Sequence, residues 1–314
     1  MTLPWLKSYQ RQLDDSLTHE RLGHAPMVHG PAGLGKRGLA RWLTARILCL
    51  QPAAGQPCGQ CQSCRLLESD THPDLFIAAV PEDKTQLPVD VIRDLTQGLQ
   101  LTPSIGSTRV GLVEEADRMN RNAGNALLKT LEEPSSRAWL ILVSDDPDAL
   151  PATVLSRCQK IIVHPPDGQA ARTWLRAQAP EVGEPDIDLA LQASGGAPLR
   201  ALELLEGDGL AFGREIRQTM LDAVCRQPPS PAVLAAWSTR PAEAWHWLAH
   251  WVRDFMDSAL APEERDVLAP DPIALARLWQ QALEGRAMAG TPVRADLLLG
   301  KWLLEWGAQF GRQS

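Results

Sequence analysis

The sequence has no apolar run near the ~20 residues a helix needs to cross a bilayer, so no membrane-spanning helix is expected. It also lacks positive charge in excess. Its 31 Lys and Arg face 38 Asp and Glu, a net charge of −7 with an isoelectric point near 5.5. That balance argues against a protein that coats nucleic acid through its overall field, while leaving room for a local basic face. Six cysteines in 314 residues are too few for a disulfide scaffold. There is no internal repeat and no low-complexity tract, which removes solenoids and disordered linkers. The opening Met1 to Gln10 lacks the charged-then-apolar build of a secretory signal, and a cytoplasmic location is expected. Tyrosine (one) and phenylalanine (four) are scarce.

Tryptophan, by contrast, is abundant. The eleven tryptophans are read as core and helix-packing material rather than as a base-stacking platform. With 44% hydrophobic and 22% charged residues the chain is an ordinary folded protein, long enough for two or three domains at ~150 residues each.

Periodicity gives the organisation. Ser8 to Leu22 reads as a helix and Pro26 to His29 as a short strand, leading into Gly30-Pro-Ala-Gly-Leu-Gly-Lys36. Arg37 to Leu50 resumes a helical pattern with Leu39, Trp42, Leu43 and Ile47 on one face. Strands are expected at 74–80, 110–113, 139–143 and 160–163, and helices at 88–101 and 121–133, the latter stopped by Pro134. Strands alternating with helices imply a parallel sheet covered on both faces. After Pro165-Pro166 strand signals cease. Asp167 to Leu205 reads as a small helical domain, and Gln227 to Pro231 interrupts a third, helical region. Trp245, Leu248, Val252 and Phe255 make one apolar stripe there; Leu299, Trp302, Leu303, Trp306 and Phe310 make another. The expected fold is α/β plus all-α, divided at 1–165, 166–207 and 208–314.

Gly30-x4-Gly35-Lys36, between a strand and a helix, has the spacing of a phosphate-cradling loop. Its glycines let backbone N–H groups converge, the helix adds its positive end, and Lys36 reaches the terminal phosphates. An ordinary glycine turn is the plainer alternative. The next position should carry the hydroxyl that ligates magnesium, and it is Arg37, which has no lone pair and repels a cation. Glu114 and Glu115 follow a buried strand, where a metal-orienting and a water-activating carboxylate are usual. Two carboxylates at a strand end are more often simply solvated.

Cys49-x8-Cys58-x2-Cys61-x2-Cys64 offers four thiolates to one tetrahedral ion, zinc first, with a structural role because no coordination position is left for substrate. An iron–sulfur cluster and free thiols are the alternatives. Cys158 and Cys225 read as small core residues.

Taken together, Gly30 to Lys36, the four-cysteine insert, Asn125-Ala-Leu-Leu-Lys-Thr-Leu-Glu-Glu-Pro134 and Ser156-Arg157-Cys158 resemble AAA+ clamp-loader subunits of bacterial DNA polymerase III, most closely the δ′ type. The resemblance covers about residues 1 to 205 and implies a P-loop parallel-sheet domain, a helical lid and a helical collar. It implies a five-membered ring with δ and τ/γ subunits that places a sliding clamp on primed DNA. On this resemblance Arg157 is an arginine finger reaching a neighbour's ATP, Ser144 matches the sensor-1 position and Arg200 the sensor-2 position. Gly30, Gly33, Gly35, Lys36 and Glu114 would line the chain's own nucleotide site, with Glu115 a vestigial base. Arg37 and an end at Ser314 depart from the τ/γ pattern. ATP binding at this degenerate site is left open, and nothing resembles a polymerase active site. A self-sufficient P-loop ATPase, a τ/γ-like ATPase subunit and a zinc-containing DNA-binding module are the competing readings. Arg93, on the helix 88–101, is the expected DNA contact on the inner wall of the ring.

Overall fold

In the computed structural model, residues 3–225, 229–259, 271–291 and 293–309 are described. Phe310, Gln227, Pro228 and Ser314 lie outside them. Five strands, β1 (Pro26–His29), β2 (Leu75–Ala78), β3 (Arg109–Val113), β4 (Ala138–Ser144) and β5 (Gln159–Ile162), form one sheet in the order β2-β3-β4-β1-β5. Every pairing is parallel. Strand alternation sends Val28, Val110, Leu112, Ile141 and Val143 to one face, where Leu39, Ala40 and Leu43 of the helix Lys36–Leu48 cover them. Met27, Leu140, Leu142 and Val113 point to the other face, under Ile92, Leu95 and Leu99 of the helix Val89–Gln100 and Leu127 and Leu131 of the helix Arg121–Glu132. Burying such side chains is worth roughly 1.5–3 kcal/mol each, and it is this two-sided burial that makes the central strands β1, β3 and β4 near-continuous apolar runs.

The helix ends have local causes. Asn120 Oδ1 accepts from the Ala123 N–H at 2.9 Å, capping the helix Arg121–Glu132. That helix stops where Glu133, preceding Pro134, leaves the helical region. The helix Lys36–Leu48 stops where Cys49 turns extended to present its thiol. The first helix is shorter than expected, Lys7–Thr18, because Ser16 O accepts from both Arg21 and Leu22 N–H and turns the chain back toward β1. The cysteine insert also contains a helix, Gln62–Glu68, that periodicity did not reveal.

The chain separates into two compact units, Met1–Pro180 with Ser194–Ala201, and Glu181–Ala193 with Leu202–Ser314. The second unit is helical, and tryptophan fills its core. Trp237, Trp245, Trp247, Trp302 and Trp306 are all buried. Three of their N–H groups find partners: Trp302 donates to Leu278 O and Trp306 to Met220 O, both at 3.0 Å, and Trp237 to Glu215 Oε1 at 3.0 Å. Both expected stripes are therefore core within the described residues, with Phe255 only partly buried. Cys225 is exposed, which corrects its reading as a core residue; it caps the end of the helix Gly209–Val224 instead. Cys158 does pack on the sheet core, and burial pushes its thiol up to about 11. Among the described residues no helix is long and apolar enough to cross a membrane.

Candidate nucleotide and metal sites

The carboxyl ends of β1, β4 and β3 lie side by side, so the segments that follow them meet at one edge of the sheet, the usual ligand edge of an open parallel sheet. These segments are Gly30–Lys36, Ser144-Asp145 and Glu114-Glu115. The Gly30 N–H donates to Ser144 O at 3.3 Å, joining the first two. Gly33, at φ +81°, sits so close to Arg200 that an added Cβ would be 2.6 Å from the Arg200 Cβ and 2.7 Å from its nitrogen. The Leu199 N–H donates to Gly33 O at 3.0 Å. The backbone at Leu199 and Arg200 thus packs directly against the glycine loop.

Lys36 opens the helix behind the loop and is buried, at 4% exposure. Its Nζ donates to Pro31 O at 2.5 Å and pairs with Asp145 Oδ1 at 2.6 Å. Ser144 Oγ and His29 Nε2, at the ends of β4 and β1, are buried and have no hydrogen-bond partner among the described residues. Burial, then Lys160 and Lys36, holds the His29 imidazole below its usual range, so it is neutral.

The two glutamates are already engaged. Arg37 Nη2 is 2.8 Å from Glu115 Oε1, and its Nε is 3.9 Å from Glu114 Oε2. Arg41, one turn further along the helix, places Nε 3.1 Å from Glu114 Oε1. Glu115 itself is held at φ +54°, a left-handed conformation uncommon for a glutamate. Arg41 and Asp145 were not singled out in the sequence. The signals were there: Arg41 is four residues from Arg37, hence on the same helix face, and Asp145 directly follows Ser144.

Arg157 lies elsewhere. It sits in the turn between the short helix Ala152–Leu155 and the amino end of β5. Its Nη2 pairs with Glu132 Oε1 at 2.7 Å, and its Nη1 donates to Thr153 O at 2.9 Å. β5 runs parallel to β1, with Pro26 opposite Gln159 and His29 opposite Ile162. Arg157 is therefore at the amino edge and the glycine loop at the carboxyl edge, separated by about 13 Å of strand at ~3.3 Å per residue.

The four cysteines converge, with all four Sγ atoms within 4.8 Å of one another. Cys49 Sγ is 4.0 Å from Cys61 Sγ, and Cys58 Sγ is 3.9 Å from Cys64 Sγ. A tetrahedron of sulfurs at ~2.3 Å from a metal has edges of ~3.8 Å, so the set fits one ion. Backbone N–H groups of Cys58, Cys61 and Cys64 donate to the sulfurs of Cys49, Cys58 and Cys61 at 3.3, 3.3 and 3.4 Å, the arrangement that stabilises thiolates. Burial alone would raise Cys61, but the Cys64 and Leu50 N–H groups overturn it and bring its thiol down to about 6. Cys58 is lowered by the N–H groups of Gln60 and Cys61, while burial pushes Cys64 up to about 12. Beneath the cluster, the Asp74 N–H donates to His72 Nδ1 at 3.1 Å, so the ring proton is on Nε2, facing Ser63 Oγ at 2.9 Å. Ser63 in turn donates to Leu48 O at 2.7 Å, tying the cluster's helix to the end of the helix Lys36–Leu48.

Arg93 is exposed and pairs with Asp90 at 3.2 Å. Nothing here makes that helix a basic face.

The family described as "DNA polymerase III, delta subunit" matches residues 5–167. The chain is 35% identical over 255 residues to the DNA polymerase III subunit delta′ of Escherichia coli K12, covering 80% of this chain and 75% of that one. To the delta′ subunit of Pseudomonas aeruginosa it is 36% identical over 266 residues, covering 83% and 79%. In fold it is similar to a solved DNA polymerase III gamma subunit-related protein of Thermotoga maritima, with TM-score 0.51, 14% identity, and 98% and 100% of the two chains covered.

Proposed function

The chain belongs to the DNA polymerase III delta′ family, and from that premise we propose that it is the clamp-loader subunit that supplies Arg157 to the ATP site of an adjoining subunit. The observation that carries this is the placement of Arg157 at the sheet edge opposite its own glycine loop. A guanidinium there cannot reach a phosphate held at Gly30–Lys36, so any triphosphate it serves belongs to another chain. A planar, permanently charged fork is suited to the charge that builds on a transferring phosphoryl group.

The chemistry is then done in trans. Partners are the δ and τ/γ subunits of a five-membered ring in the cytoplasm, and through the ring the sliding clamp and primed DNA. Residues 1–165, 166–207 and 208–314 act as P-loop domain, lid and collar. The four cysteines hold zinc, which ties down the insert without touching substrate.

The test is Arg157→Ala in the reconstituted complex. The variant should fold and assemble normally, while hydrolysis at the site it faces slows by ~10³-fold or more and clamp loading falls with it. Unchanged ATPase and loading in an assembled Arg157→Ala complex would defeat the reading. The rival self-sufficient ATPase predicts magnesium-dependent turnover by the isolated chain, abolished by Lys36→Ala.

A further inference from the structure

The magnesium ion that the resemblance implies beside a nucleotide does not fit this chain. Its hydroxyl ligand is replaced by Arg37, and the carboxylates that would orient it are occupied, Glu115 by Arg37 at 2.8 Å and Glu114 by Arg41 at 3.1 Å. Glu114 is nearly buried, at 5% exposure, and its negative charge is thus balanced by protein rather than by an ion from solvent.

The rest of a phosphate site is built. The helix Lys36–Leu48 has no side-chain cap and no acidic residue in its first turn, so its N–H groups have no anionic partner from the chain's own cap. Ser144 Oγ and His29 Nε2, flanking the loop, are buried polar atoms without hydrogen-bond partners among the described residues. A buried polar atom left unpaired is costly, and both atoms lie at the strand ends where a phosphate chain would be received. Asp145, the partner of Lys36, is half exposed and can swing to solvent to release the ammonium.

We propose that Gly30–Lys36 binds the polyphosphate chain of a nucleoside di- or triphosphate without any divalent ion, the Arg37 guanidinium supplying the fixed positive charge in the ion's place. Arg37 is half exposed at the mouth of the site and carries five N–H donors, more than its two carboxylate contacts use. Because Arg37 engages Glu115 and Arg41 engages Glu114, neither of the two carboxylates that follow β3 is free to orient a water, and the nucleotide is held rather than cleaved. The inference is independent of the role given to Arg157.

Calorimetric titration of the full chain with ADP, ATP and inorganic pyrophosphate, each in EDTA and in excess magnesium, tests it. Wild-type affinity for the nucleotides should agree within about twofold in the two buffers, because the cation is already in place. Pyrophosphate binding as tightly as ADP would assign recognition to the phosphates alone and overturn the nucleoside part of the proposal; weaker pyrophosphate binding supports it. Arg37→Thr, which introduces the missing hydroxyl, should lose about tenfold or more in EDTA, the scale of a charge-assisted contact, and recover in magnesium. Arg37→Lys should keep metal-free binding within several-fold. Wild-type binding tightened about tenfold or more by magnesium, absence of binding in both buffers, or Arg37→Thr unchanged in EDTA would each overturn the proposal. The wild-type comparison needs no variant to fold, and normal clamp loading alongside any of these outcomes leaves the Arg157 reading standing.

Discussion

Arg157 Nη2 and Glu132 Oε1 are 2.7 Å apart, a pair that joins the last residue of the helix Arg121–Glu132 to the turn before β5. Both side chains are at least a third exposed, so the pair is worth no more than about 1 kcal/mol. Its consequence is orientation, since Thr153 O and Ser156 Oγ hold the other guanidinium nitrogen. Glu132→Gln should therefore leave the melting temperature nearly unchanged. In the assembled complex it should lower ATPase activity several-fold, far less than Arg157→Ala. An ATPase activity unchanged by Glu132→Gln would show that the pair does not orient Arg157.

Metal content separates the cysteines. Purified protein should contain one metal ion per chain by mass spectrometry, and replacing Cys58 or Cys64 by Ser should abolish it and lower the unfolding midpoint, because metal binding free energy is folding free energy. Cys225→Ser should retain full metal content, since that thiol is exposed and outside the cluster.

Asp74 is fully buried and accepts from the Ser104 and Ile105 N–H groups at 2.7 and 2.6 Å. It also lies 3.3 Å from Arg109, which in turn donates to Gly98 O and Thr102 O. Asp74→Ala strands a buried guanidinium and two loop amides, and should cost about 3–5 kcal/mol. Urea unfolding reads it directly. A change below about 1 kcal/mol would mean that the 101–108 loop is held by something else.

His250 gives a pH dependence of known sign. Both ring nitrogens are buried without hydrogen-bond partners among the described residues, and the ring packs edge-on against Trp247 and Trp251. Burial, then Arg253, lowers its pKa from 6.5 to about 4, with Asp254 opposing. The folded state thus binds fewer protons than the unfolded chain between these values. The full stability is present above pH ~6.5 and is lost as pH falls toward ~4, by about 3 kcal/mol in all. Relative to His250→Leu, the wild type should lose stability between about pH 7 and about pH 5. Parallel pH profiles would show that the imidazole is charged or solvated in the native protein.

The sheet was readable because its central strands are apolar runs closed by turn signals, and β1 fell on its expected residues, Pro26–His29. The sites were readable where spacing alone encodes them, in the glycine loop and the cysteines. What spacing does not encode is which charge meets which. Arg41 reaching Glu114 and Lys36 reaching Asp145 depend on helix phase and strand order, which bring segments over 70 residues apart to one edge. The short helix Gln62–Glu68 was illegible for another reason. It has too few turns for a periodic pattern, and Cys61 starts it by accepting from the Cys64 N–H at 3.4 Å, a cap that also builds the metal cluster.

Because Arg157 and the glycine loop occupy opposite edges of one sheet, the protomer has a direction. If Arg157 serves an adjoining chain, as proposed above, contacts between such protomers are head-to-tail, and a closed ring of them has a handed order in which each position differs from the next by what it gives and what it accepts. In a ring built that way, a member that holds its nucleotide without cleaving it would stimulate one neighbour and spend nothing itself.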